Sequence, residues 1–82
     1  MKHKFRWTTQ RFTSAWGGLS VHECMTGRSP NAVFVGYMRQ NERGLWEINV
    51  NVPNYTPGVV QGTWQEIRKL IQDEWIRGQE TQ

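Results

Sequence analysis

His22 and Cys24 are the residues best placed by type and spacing to do covalent chemistry. Two apart on a strand, they would share a face, and a thiol beside an imidazole can act as a nucleophile. Same-face neighbours stand roughly 6–7 Å apart by strand rise, too far for a direct hydrogen bond unless both side chains lean together. Cysteine is also among the residues most often simply buried. A catalytic pair is therefore not expected. His3, His22 and Cys24 would offer three metal ligands without the local spacing of a zinc site. Glu66, Asp73 and Glu74 fall on a helix where carboxylates are routine. The glycines form neither G-x-G-x-x-G nor a phosphate-cradling loop followed by Lys-Ser or Lys-Thr. The expectation is no catalytic residue, no metal ligand and no cofactor.

Aromatics interleaved with basic residues carry the functional reading. Lys2, Lys4, Arg6, Trp7, Arg11, Phe12 and Trp16 crowd the start, and Arg28, Tyr37, Arg39 and Arg43 follow. Residues 1–43 hold seven Lys or Arg against two Glu, and residues 44–82 hold three against five acids. Basic side chains neutralise phosphates and planar rings stack on unpaired bases. The same residue types dominate protein–protein hot spots. A sheet face that one helix leaves open must be polar or meet a partner. Val33, Phe34, Val35, Tyr37 and Met38 are too many apolar neighbours for one helix to cover. The expected function is a non-catalytic protein-binding module, its partner a second protein or a second copy of the chain. A homodimer through the open face or an edge strand is the simplest form. Nucleic-acid binding by the basic first half is the alternative. Candidate binding residues are Lys2, Lys4, Arg6, Arg11, Arg28, Phe34, Tyr37, Arg39 and Arg43.

The elements that must position these residues can be read from periodicity. In Leu45 to Val52, Trp46, Ile48, Val50 and Val52 alternate with Glu47, Asn49 and Asn51, the pattern of a half-buried strand. Pro53 ends it, because proline cannot donate to a ladder. Asn31 to Arg39 is a second strand, apolar on both faces, joined to the first by a polar loop ending in Gly44. Leu19 to Met25 is a third, with Leu19, Val21 and Met25 on one side and Ser20, His22 and Cys24 on the other. Lys4 to Thr8 reads as an edge strand with Phe5 and Trp7 inward, its lysine discouraging stray pairing. Gly17-Gly18 permits a bend. Residues 53–62 read as an irregular loop.

Thr63 and Glu66 have capping-box spacing at the start of a helix. Trp64, Ile67, Leu70, Ile71 and Trp75 follow helical periodicity, leaving Gln65, Arg68, Lys69, Gln72 and Asp73 to water. Gly78 reads as its C-terminal stop. The fold class is α+β: a three- or four-stranded antiparallel meander with one C-terminal helix packed on one face. The expected organisation is one domain over 1–82, with an edge strand or arm at 1–18 and the meander at 19–53. A loop at 54–62, a helix at 63–77 and a tail at 78–82 complete it.

Eighty-two residues fit one domain with a thin core, which five Trp, three Phe and two Tyr would fill. A lone cysteine excludes an internal disulfide. The charged start is not followed by an apolar run, and no segment approaches the ~20 apolar residues of a membrane span. A cytoplasmic protein is expected, and Asn54-Tyr55-Thr56 is then an accidental sequon.

Residues 31–77 resemble small accessory proteins of bacteriophages and prophages, in which a meander with a Trp-centred last strand precedes an amphipathic helix. Gly44 to Val50 and Gly62 to Lys69 carry the likeness. It implies a phage-encoded inhibitor of a host defence protein or nucleoprotein, with anti-CRISPR proteins among that group. The element order is also similar to the three-stranded DNA readers of AP2-type factors and recombinase arm-binding domains. Glu47, Asn49 and Asn51 depart from the Arg- and Trp-rich face of those readers, and Glu47 would repel phosphate.

Overall fold

The computed structural model describes residues 4–14, 17–28 and 30–80, so Lys2, His3 and Trp16 lie outside the described residues. It is an α+β fold: a five-stranded antiparallel sheet in simple meander order with one helix across one face. The strands are β1 Phe5–Ser14, β2 Gly17–Thr26, β3 Val33–Gln40, β4 Trp46–Val50 and β5 Gly58–Val60, and the helix α1 is Trp64–Glu80.

Two strands exceed expectation. The expected edge strand at residues 4–8 extends to Ser14 and pairs with β2 at all ten positions, Gly17 opposite Ser14. Gly17-Gly18 thus opens β2. β5 occupies part of the expected loop, pairing Gly58 with Ile48 and Val60 with Trp46. The β3–β4 hairpin is organised by Asn41, whose Oδ1 accepts from the backbone N–H of Arg43 and Leu45. Gly44 closes that turn at φ 79, in the left-handed region glycine enters without a steric cost.

β3 contains a bulge. Cys24 faces Gly36 and Met25 faces Phe34, leaving Val35 without a partner on β2. The extra residue inverts the inside–outside alternation. Val35, Gly36 and Met38 are buried, whereas Phe34, Tyr37 and Arg39 are only half-buried. The apolar character of both faces of this segment is thereby resolved.

The core joins Cys24, Val35, Met38, Trp46, Ile48 and Val50 of the sheet to Ile67, Ile71 and Trp75 of α1. Phe5 meets Trp75 edge-on at 6.0 Å between ring centroids. The capping box forms in both directions: Thr63 N–H donates to Glu66 Oε1 at 3.0 Å and Glu66 N–H to Thr63 Oγ1 at 3.2 Å. Gly78 does not stop the helix, which continues to Glu80. A Cβ at Gly78 would collide with the Val52 side chain, so this glycine lets α1 pass close over Val52.

Gly36 is the tightest point between helix and sheet. An added Cβ would lie 2.5 Å from the Asn49 carbonyl oxygen and 2.9 Å from Ile71 Cγ2. Backbone cannot yield cheaply, so Gly36→Ala should destabilise the fold by about 1–3 kcal/mol in urea unfolding. Gly58→Ala, where a Cβ meets nothing within 4 Å, should stay within about 0.5 kcal/mol. Equal midpoints for the two variants would show that α1 does not rest on β3 at this position.

Candidate functional site

Two regions collect residues able to recognise a partner. The first lies at the N-terminal end of α1. Trp46 and Trp64 pack edge-on at 5.8 Å, and His22 stands 4.2 Å from Trp64 between ring centroids. Trp46 Nε1 donates to the Gly62 carbonyl at 3.0 Å, and the Thr9 hydroxyl is 2.7 Å from His22 Nδ1. The Arg68 guanidinium carbon lies 5.0 Å from the ring centroid of Trp7 and 5.6 Å from that of Trp64. Helical periodicity assigns Arg68 to the water-facing side. Instead it bridges two rings, one from β1 and one from its own helix. Among the described residues, its buried Nε has no hydrogen-bond partner, so ring faces hold the cation there.

Burial governs the titratable groups of this cluster. Cys24 is fully buried, and burial pushes its thiol up to about 11. Burial thus favours the neutral thiol over the thiolate. Burial first, then the Arg68 charge, holds His22 below the ordinary imidazole range. His3 lies outside the described residues, and among those described no group of three His, Cys, Asp or Glu could hold a metal ion.

The second region is the sheet face opposite α1. The β1–β2 register puts Arg6 beside Met25, Thr8 beside Glu23 and Gln10 beside Val21 on this side. The bulge delivers Phe34 and Tyr37, three positions apart, to the same side. Phe12, Val21, Glu23, Phe34, Tyr37 and Arg39 line one shallow depression. Phe12 is 52% exposed and adjoins the other apolar residues of the depression, a grouping of the kind that marks interaction sites. Arg39 borders the depression and is ion-paired with Glu47 of β4. Sequence reasoning selected Phe34, Tyr37 and Arg39 from this set. It missed Phe12 and Val21 as members, because the meander register that brings them together is non-local.

The remaining basic candidates are not brought together. Lys4, Arg6 and Arg28 sit at one end of the sheet, with Arg6 donating to the Gly27 carbonyl. Arg11, Arg39 and Arg43 sit at the other end, by the β1–β2 and β3–β4 registers. Arg6 and Arg11 alone are five strand positions apart, about 17 Å. No helix among the described residues is long and apolar enough to cross a membrane. No family model, curated protein or solved structure matches the chain.

Removal of Arg68 tests the packing role. Arg68→Ala should cost about 1–2 kcal/mol through lost ring and stem contacts. Lys69→Ala, which breaks only the exposed pair with Asp73, should cost about 0.5 kcal/mol or less. Equal costs would place Arg68 in water after all.

His22 sets a pH dependence of known sign. Its folded pKa lies below the unfolded value, so the unfolded chain binds the extra proton first as pH falls. Its stabilising contribution is therefore complete above about pH 6.5 and is lost as pH drops through the lower folded value. The expected result is a decline in stability below about pH 6.5, well before the carboxylates titrate, that His22→Gln flattens. An unchanged slope in that variant would remove His22 as its source.

Proposed function

We propose that the protein is a non-catalytic protein-binding module that recognises its partner through the open face of the sheet. One observation carries the reading: Phe12, Val21, Phe34 and Tyr37 line a single depression on the face opposite α1. This apolar and aromatic patch also contains Glu23 and is bordered by Arg39, itself paired with Glu47, a mixture of anchors and charges that suits a protein interface. The likeness of residues 31–77 to phage accessory proteins suggests the class of partner to try first. That partner is a bacterial host protein or nucleoprotein, met in the cytoplasm.

A nucleic-acid interface needs a run of cations along one surface. The division of the basic residues between two ends of the sheet, and the pairing of Arg39 with Glu47, favour the protein reading.

The test compares capture of proteins from a bacterial lysate by the unmodified chain and by two variants. Tyr37→Ser should lose at least ~30-fold in affinity for the captured protein, as a hot-spot truncation does. Lys4→Ala combined with Arg6→Ala should retain it, with weak dependence on salt. Loss in the lysine–arginine variant alone would overturn the proposal. So would duplex DNA binding with a log–log salt slope near roughly −4.

A further inference from the structure

β1 is a long, regular edge. All ten of its residues pair with β2 on one side, and no described strand pairs with the other. The second edge differs. β5 has only three residues, so its shortness guards it. The lysine that was to guard β1 stands at position 4, before the strand begins. β1 contains no proline, and its register with β2 shows no bulge.

The outer half of this hairpin also lacks a third strand. β3 begins to pair with β2 only at His22, so residues 9–14 and 17–21 form a two-stranded ribbon beyond the body of the sheet. Such a ribbon is marginal in water and gains stability from further strands.

We infer that β1 pairs antiparallel with β1 of a second copy of this chain, across a two-fold axis at Thr9, giving a continuous ten-stranded sheet. A two-fold axis normal to the sheet requires each residue to oppose one of its own face, so only registers with an even sum of residue numbers are allowed. Sums of 18 and 20 give the longest overlap of Phe5–Ser14 on itself. With a sum of 18, Arg6 faces the partner's Phe12, Trp7 faces the partner's Arg11, and Thr8 faces the partner's Gln10. Each arginine therefore meets an aromatic ring and no like charges stand opposed, the complementarity expected of a stable cross-strand pairing. With a sum of 20, Thr8 faces Phe12 and Thr9 faces Arg11, and neither arginine meets a ring. The sequence of the edge thus selects both its partner and its register.

The inference goes beyond the open-face reading; the two share Phe12, whereas Tyr37 belongs to the face alone. Both open faces would lie on the same side of the joined sheet.

Single cysteines test the register directly. In the proposed pair Thr9 lies opposite Thr9 of the partner, with Cα atoms about 4.5–5.5 Å apart, within disulfide reach. Residue 8 is offset from its own copy by two positions, roughly 8 Å, which is too far. Thr9→Cys should form a disulfide-linked dimer under mild oxidation, while Thr8→Cys and Gln10→Cys each stay free of the cross-link. An equal mixture of the latter two should cross-link. The native Cys24 is buried and serves as background in the unmodified chain.

Sedimentation across a concentration series should show a monomer–dimer equilibrium. Arg11→Ala should weaken it by roughly two- to thirty-fold, because each change is felt twice across the axis. Tyr37→Ser should leave it unchanged. A monomer at the highest attainable concentration overturns the inference. So does a dimer that Tyr37→Ser disperses, or Thr9→Cys cross-linking no faster than Thr8→Cys.

Discussion

The approach of Ile71 to Gly36 is the constraint on which the rest of the molecule depends. Helix and sheet meet where a single methyl group would collide with the Asn49 carbonyl and with Ile71. That contact is available because the bulge turns two consecutive residues, Val35 and Gly36, toward α1. One fills the core and the other leaves room for it. The same inversion sends Phe34 and Tyr37 outward together. The device that seats the helix thus also builds the apolar patch on the opposite face, so core and candidate interface cannot be altered independently. A substitution that removed the bulge would move Phe34 inward and Val35 out.

A chain of 82 residues has little interior, and aromatic side chains extend it. Phe5 and Trp75 join the start of β1 to the second half of α1. Trp7, Arg68 and Trp64 join β1 to the first half. His22 continues that cluster to Trp46, 6.1 Å away. These links cross the sheet from its edge strand to the helix, which a core of Val and Ile behind β3 and β4 could not do. They also need polar handles in the right places. Trp46 Nε1 has one in the Gly62 carbonyl. The buried Nε1 of Trp7 has none among the described residues, and its ring lies against the guanidinium instead.

The legible parts of this fold were those encoded locally. The alternation from Trp46 to Val50 and the reciprocal spacing of Thr63 and Glu66 each express an interaction between near neighbours. What escaped is non-local. Thr8 to Ser14 has polar residues on both faces and no apolar alternation, and only its register with β2 makes it a strand. β5 is too short to carry a period. Gly78 obeys the rule for a helix stop, yet it answers to Val52, a neighbour in space and not in sequence. Arg68 occupies the polar side of its helix by periodicity, but Trp7 arrives from another strand to claim it. The bulge is written nowhere in β3 alone; it follows from pairing with β2. Of the candidate site, Phe34, Tyr37 and Arg39 could be chosen by type, whereas Phe12 and Val21 needed the topology.

The charge asymmetry of the sequence takes on a different meaning in three dimensions. Seven of the ten Lys and Arg residues fall in the first 43 positions, which along the chain looks like the footprint of an anionic partner. In the fold, two of these cations already have internal roles. Arg6 donates to the Gly27 carbonyl and anchors the β1–β2 end. Arg39 is paired with Glu47 across β3 and β4. Lys4, Arg11, Arg28 and Arg43 remain exposed, but they are divided between opposite ends of the sheet and do not form a continuous run of cations. Between those ends lies the apolar depression, with Glu23 within it. A phosphate backbone laid across that face would meet rings and a carboxylate where it needs cations. An apolar protein surface would meet aromatic and apolar anchors with charges among and beside them, a mixture that suits a specific interface.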